Sequence, residues 1–320
     1  MLFWLIKLYA RFCLQIFCRR LVLNKQDYLN ATGPVLFAAN HPNSFLDGII
    51  LTIILEENLY SLARGDAFEN KLINKLLRWM HLLPVYRTSE GVENLSHNYT
   101  TFEECHNVFA NNGHVIIFSE GRCVNEWHLR PLLKGTARLA ISTWQKGIDL
   151  TVIPVGFNYQ AFRNFGKNVI INFGEPISKK TIVSAHSDGI QLVHFNKQLN
   201  EQLKSLVYEI DKSDKKNQEE IFYKPLSLSK KIFLTIPAII GFLVHAPVYY
   251  SAKMITFKYF DNDHYDSVVA SLLMLAYPLY MLLLIGITWL FFGPGWALSA
   301  FVLIPFTAWA CVQLKPQFDS

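Results

Sequence analysis

The sequence predicts an α/β domain with a mostly parallel sheet flanked by helices, preceded by an N-terminal interfacial helix and followed by C-terminal transmembrane helices. From residue 35, short β-rich runs (Val35 to Ala39, Leu82 to Tyr86, Val115 to Phe118, Val152 to Phe157, Val169 to Phe173) alternate with segments of helical length and period. After residue 230 the chain turns almost uniformly apolar, whereas the preceding region has the mixed composition of a globular domain. The chain is 51% hydrophobic and 14% aromatic, which suits a protein with surface in or against a bilayer.

Taken in order, residues 1–30 read as a membrane-interface helix. Lys7 and Arg11 lie four apart on one face, with Trp4, Leu5, Tyr9, Phe12 and Ile16 available for the rest. The same pattern fits a helix packed on the protein's own core. Lys7 and Arg11 interrupt the apolar run and no small-residue cleavage site follows, so a cleaved signal peptide is not expected.

Residues 31–210 form the α/β domain, whose last helix carries the stripe Leu192, Phe195, Leu199, Leu203 and Leu206, read as core. Residues 211–230, opening with "DKSDKKNQEE", are a charged linker. Residues 231–320 are a hydrophobic membrane region of two to three helices: 232–252 with Pro237 and Pro247, 268–292, and 296–312 after the turn Gly293-Pro294-Gly295. Lys230 and Lys231, set against the acidic loop of Asp261, Asp263 and Asp266, place the folded domain on the cytoplasmic side.

Charge and cysteine usage narrow the function classes. A formal net charge of +5 without a long basic run argues against nucleic acid and for an anionic lipid surface or phosphate-bearing substrate. The five cysteines are scattered without metal-ligand spacing, so a zinc site is not expected and the thiols are read as reduced. The sequence lacks a Gly-x-Ser-x-Gly elbow, a P-loop and the dinucleotide glycine pattern, which weighs against serine hydrolases, NTPases and oxidoreductases.

The stretch "FAANHPNSFLDGIIL", residues 37–51, carries the first chemistry. A residue before proline is pushed out of the helical region, so His41 sits extended at a strand end, where ligands bind in open α/β sheets. Asp47 then falls in the first turn of the next helix, within reach of one imidazole nitrogen, and such a pair makes a general base. Ser44 to Asp47 equally fits a Ser-x-x-Asp capping box, in which the acid bonds the cap's own N–H.

Two further strands end in polar clusters, "LLPVYR" at Arg87 and "IIFSEGR" at Glu120, Gly121 and Arg122, so three strand ends converge on one edge. In "LRPLLKGTARLA", Arg130 and Lys134 precede a Gly-Thr helix start that suits phosphate, or a solvated basic loop.

The ordered blocks "NHPNSFLD", "LLPVYR", "SEGR" and "VIPVGF" resemble the motifs of the PlsC-type glycerophospholipid acyltransferases over roughly residues 35 to 175. The resemblance implies His41 as catalytic base and Asp47 as its orienting acid. It assigns Arg87, Glu120 and Gly121 to the acceptor's glycerol-phosphate, leaves Arg122, Arg130 and Lys134 as further phosphate ligands, and makes Ile153-Pro154-Val155 a structural or acyl-donor-side motif. Five residues separate His41 from Asp47 where four are usual, as in a minority branch of the family, and Pro42-Asn43 is expected to absorb the extra one. Ser119 stands where proline is usual, and Arg122 follows Gly121 directly. The implied reaction needs no metal or cofactor beyond acyl-CoA or acyl carrier protein as co-substrate, with membrane lipids as partners. A membrane-tethered scaffold of the same fold and an acyl-thioester hydrolase are the alternatives.

Overall fold

The computed structural model describes residues 2–86, 97–182 and 187–315. Seven strands form one sheet: β1 (Cys18–Leu23), β2 (Val35–Ala39), β3 (Leu59–Arg64), β4 (Leu82–Val85), β5 (His114–Phe118), β6 (Thr151–Tyr159) and β7 (Lys167–Phe173). Their order is β1-β7-β6-β2-β5-β3-β4, parallel throughout except for the antiparallel β6–β7 pair. Helices α1 (Leu2–Phe17), α2 (Phe45–Ile54), α3 (Lys71–Trp79), α4 (His97–Ala110), α5 (Gly135–Gln145), α6 (Lys179–Ile182), α7 (Asp188–Leu206) and α8 (Lys215–Phe222) surround it. Three long apolar helices follow: α9 (Leu228–Tyr259), α10 (Tyr265–Phe292) and α11 (Pro294–Leu314), each long enough to cross a membrane by length and composition.

Four of the five expected β-rich runs lie wholly in strands and the fifth overruns β4 by Tyr86 alone, and β2 is buried along its whole length between its parallel neighbours β5 and β6. Such strands read as continuous apolar runs because helices cover both faces. The α7 stripe is core, with Phe195, Leu199 and Leu203 fully buried. Strands β1 and β3 were not expected: "CRRLVL" and "LYSLAR" mix charged and polar residues into short apolar runs, which periodicity alone does not assign.

Two segment readings change in detail. The helix read over residues 1–30 ends at Phe17, because Cys18–Leu23 leaves it to become the sheet's edge strand. The charged linker contains α8, whose Phe222 is fully buried and accepts an Asn168 Nδ2–H bond at 2.8 Å.

Helix α1 turns its basic face inward. Lys7 Nζ donates to Glu56 O and Glu57 O at 3.1 Å each, and Arg11 Nε donates to Ile53 O at 2.8 Å. Both cations thus sit at the carboxyl end of α2, where they satisfy free carbonyls and oppose the helix dipole. The large apolar residues Leu2, Trp4, Leu5, Leu8 and Phe12 are left exposed, as a membrane-facing surface would be.

The end of α7 is pressed onto the sheet. Leu206 O accepts Nδ2–H bonds from Asn158 and Asn172 at 2.9 Å, and a Cβ at Gly156 would lie 2.6 Å from that same oxygen. Gly156→Ala is expected to destabilise the domain by about 1–3 kcal/mol through overpacking, measurable as a lower midpoint in denaturant titration.

Candidate active site

His41 lies two residues beyond β2, and the next turn folds it back over the start of α2. Its Nδ1 is 2.9 Å from Asp47 Oδ2, so the pair is formed despite five intervening residues. The extra residue is absorbed mainly at Ser44, which adopts φ 54 and ψ −146 immediately before the helix. That left-handed conformation is nearly restricted to glycine and costs about 1–3 kcal/mol, so its surroundings must hold it. Ser44 N–H donates to Cys123 Sγ at 2.9 Å, and Ser44 Oγ lies 2.5 Å from His264 Nδ1.

The capping box does not form. Ser44 makes no side-chain cap, and Asp47 bonds the N–H of Asn43 at 3.0 Å instead. Asp47 is fully buried and its second oxygen accepts Tyr159 O–H at 2.7 Å. Three donors therefore converge on one carboxylate, and this compensates its removal from water. With Nδ1 turned toward Asp47, Nε2 is the nitrogen left for a substrate proton. The imidazole stacks on Phe118, ring centroids 3.8 Å apart and planes 15° from parallel, which limits its rotation.

Glu120 reaches the site as a brace. Its Oε2 accepts His41 N–H at 2.7 Å and its Oε1 accepts Arg130 N–H at 2.9 Å, and the residue is 7% exposed. Burial pushes its carboxyl up to about 7, against the opposing pull of the two N–H donors from Arg130 and His41. Gly121 follows at φ +67, where a Cβ would collide with Leu133.

Arg87 lies outside the described residues; strand β4, which precedes it, is at the sheet edge, three positions or about 14 Å from β2 at roughly 4.8 Å per strand. Arg130 Nη1 pairs with Glu126 at 2.9 Å, whereas Arg122 and Lys134 are exposed, Lys134 as the residue before α5. The N–H groups of Asn43, Ser44, Leu46 and Asp47 are already engaged by Asp47 Oδ2, Cys123 Sγ, Ser267 Oγ and Ser44 O.

The loop between α9 and α10 and the first turn of α10 complete the shell, which sequence reasoning did not foresee. Asn43 Nδ2 donates to Asp266 Oδ2 at 2.7 Å, and Asp266 forms a buried ion pair with Lys167. Ser267 Oγ donates to Asn43 O at 2.8 Å, and Asn125 Nδ2 bridges Pro42 O at 2.8 Å and Asp263 O at 3.2 Å. Within the acidic loop Asp266 is thus buried against Lys167, whereas Asp261 forms an exposed pair with Arg163. Of these partners Pro42 and Asn43 fall in the motif block, and Asp263 and Asp266 stood out in the sequence only as an acidic loop.

Two outcomes follow from these contacts. Lys167→Met leaves Asp266 buried without its cation and should cost about 3–5 kcal/mol in chemical denaturation, since both partners are sealed from water. For Glu120, the folded pKa lies above the ordinary carboxyl value of 4.5, so the folded state holds the proton longer. Its stabilisation is complete below the unfolded value and disappears as pH rises through about 7. The stability difference between wild type and Glu120→Gln should therefore change in favour of the variant across that window, read from denaturation midpoints at a series of pH values.

Residues 20–158 match the family model described as Acyltransferase. Among solved structures, the chain is similar to the 1-acyl-sn-glycerophosphate (LPA) acyltransferase PlsC from Thermotoga maritima, with 15% identity and a TM-score of 0.45 over 69% of this chain and 81% of that one. No curated protein matches it. The matched segment, residues 20–158, carries the His41–Asp47 pair and is similar to the Acyltransferase family.

Proposed function

We propose that this protein transfers a fatty acyl group from an acyl thioester, acyl-CoA or acyl carrier protein, to a hydroxyl of lysophosphatidate, glycerol 3-phosphate or a related lysophospholipid. The observation that carries the reading is the His41–Asp47 contact, with the carboxylate fully buried and anchored by Tyr159 and Asn43. In the reaction, His41 Nε2 takes the acceptor's hydroxyl proton while the oxygen attacks the thioester carbonyl carbon. The C–S bond then breaks, and the departing thiolate takes the proton back from the imidazolium. Asp47 holds the proton on Nδ1 and balances the positive charge in between. Atoms and charges balance without a covalent enzyme intermediate, a metal or a redox cofactor.

Arg87, Arg122, Arg130 and Lys134 supply the cationic side of the site for the acceptor's phosphate, with Glu120 and Gly121 shaping the turn behind His41. An apolar cavity of about 650 Å³ between α1, α2 and α9–α11 is lined by Leu14, Leu46, Ile50, Ile53, Phe242 and Met274, and suits an acyl chain. The helices keep the enzyme at the bilayer, where the lipid acceptor and product reside, with the domain on the cytoplasmic side.

The test follows thiol release from acyl-CoA by membranes containing the protein, with candidate acceptors added singly. His41→Ala should lower acceptor-dependent release by about 10²–10⁴-fold. Tyr159→Phe should lower it less, by loosening Asp47. Release that ignores the acceptor and yields free fatty acid would mark a hydrolase, and unchanged release in His41→Ala would remove His41 as the base.

A further inference from the structure

Both ends of α9 are fastened to the same strand of the sheet. Asn168 of β7 donates to Phe222 O at 2.8 Å, just before the chain departs into α9. The adjacent residue, Lys167, holds Asp266 just after α9 ends. The middle of the helix returns to the domain as well. Tyr249 packs edge-on against Phe165 with ring centroids 5.7 Å apart, and its hydroxyl accepts a bond from Lys315 Nζ at 3.3 Å. That ammonium also donates to Asn164 Oδ1 at 2.7 Å and Phe165 O at 3.1 Å, so the end of α11 is docked beside it.

A bilayer's hydrocarbon core is about 30 Å thick, and a helix that crosses it leaves its two ends on opposite faces. The 32 residues of α9 would span it easily, at about 48 Å for 1.5 Å per residue. Yet the segments before and after α9 close on consecutive residues of one strand in the water-exposed domain. Length and apolarity permit a crossing; connectivity does not.

Charge placement agrees with this. Helix α9 carries Lys230, Lys231, Lys253 and Lys258, whereas residues 267–314 contain no Asp, Glu, Lys, Arg or His. Small buried residues of α9 (Ala238, Gly241) meet α11, where a Cβ at Gly241 would clash with Thr307 O. Its large residues Ile232, Phe233, Ile236 and Leu243 are exposed. An apolar outer surface with lysines at both ends is compatible with a helix lying in the headgroup boundary of an anionic leaflet, where lysine ammonium groups reach water and lipid phosphates.

The exposed apolar face continues onto α1 and then α3. Tyr9 O–H donates to Met274 O of α10 at 2.8 Å, and Phe3 meets Trp79 with ring centroids 6.1 Å apart. Exposed Leu72 and Leu76 of α3 extend it, interleaved with exposed Lys71 and Lys75.

We propose that α9 lies along the bilayer on the domain's side without crossing it, and that α10 and α11 enter as a hairpin from that same side. The end of α11 then faces the compartment that holds His41. The proposal rests on the membrane reading of the apolar helices and adds their topology.

Native lysines allow a test without substitution. Sealed membrane vesicles of one orientation, and of the inverse orientation, are treated with a membrane-impermeant amine-acylating reagent, and modification of Lys216, before α9, and Lys258, at its end, is read by peptide mass spectrometry. Both side chains are exposed. The expected result is modification of both in one vesicle orientation and protection of both in the other. Modification in opposite orientations would show that α9 crosses, overturning the topology while leaving the membrane reading intact. Release of the protein from membranes by alkaline carbonate, without detergent, would overturn the membrane reading and the topology with it.

Discussion

Asp47 is a carboxylate with no access to water, and the site's architecture follows from keeping it satisfied. Its three donors arrive from separate places: the imidazole just past β2, the backbone of Asn43 in the turn, and the hydroxyl of Tyr159 at the end of β6. The sheet must therefore put β6 directly beside β2, which it does, with Ala39 in register with Val155. It must also let β6 run on after β2 has stopped. The nine residues of β6 against the five of β2 provide that overhang and bring Tyr159 to α2. Asn40 locks the junction, since its side-chain amide bonds both the N–H and the C=O of Phe157, at 2.7 and 3.1 Å.

The turn that joins these donors is strained, and its restraints come from both sides of the chain. Cys123 and Asn125, beyond β5, hold the turn from within the domain, while His264, Asp266 and Ser267 hold it from the membrane region. A buried ion pair such as Lys167–Asp266 is weak evidence for stability, because two desolvations oppose one attraction. Its stronger effect here is geometric. It fixes the start of α10 against β7 and so sets where Asn43 and Ser44 can go. The His41–Asp47 turn and the long apolar helices are consequently one packed unit, and a change in how α9 and α10 sit would be felt at His41.

Much of the fold was legible because β2, β5 and β6 are covered on both faces and must read as apolar runs. The His41–Asp47 pair was legible too, through Pro42 and the spacing, although the sequence left a capping box equally open and directed the extra residue to Pro42-Asn43 rather than Ser44. What could not be read is long-range. Tyr159 and Asp266 meet the turn from more than 100 and more than 200 positions away, Lys167 acts through Asp266, and Tyr159, Lys167, His264, Asp266 and Ser267 lie beyond the segment matched by the family. For α1, periodicity revealed two faces without saying which one turns inward. The answer depends on the free carbonyls at the end of α2, which no local pattern displays.

Glu120 shows how a familiar motif residue can act through the backbone. Both of its oxygens are occupied by N–H groups, which leaves little of the carboxylate to grip an acceptor hydroxyl. Its elevated pKa of about 7 has a further consequence. A fully ionised Glu120 would place a second negative charge near buried Asp47. Burial raises the pKa enough that near neutrality the brace is charged only part of the time, while its hydrogen bonds still fix the His41 backbone. In the proposed reaction Asp47, with three donors, is then the carboxylate beside His41, and Arg122 and Lys134 are exposed cations on the same chain.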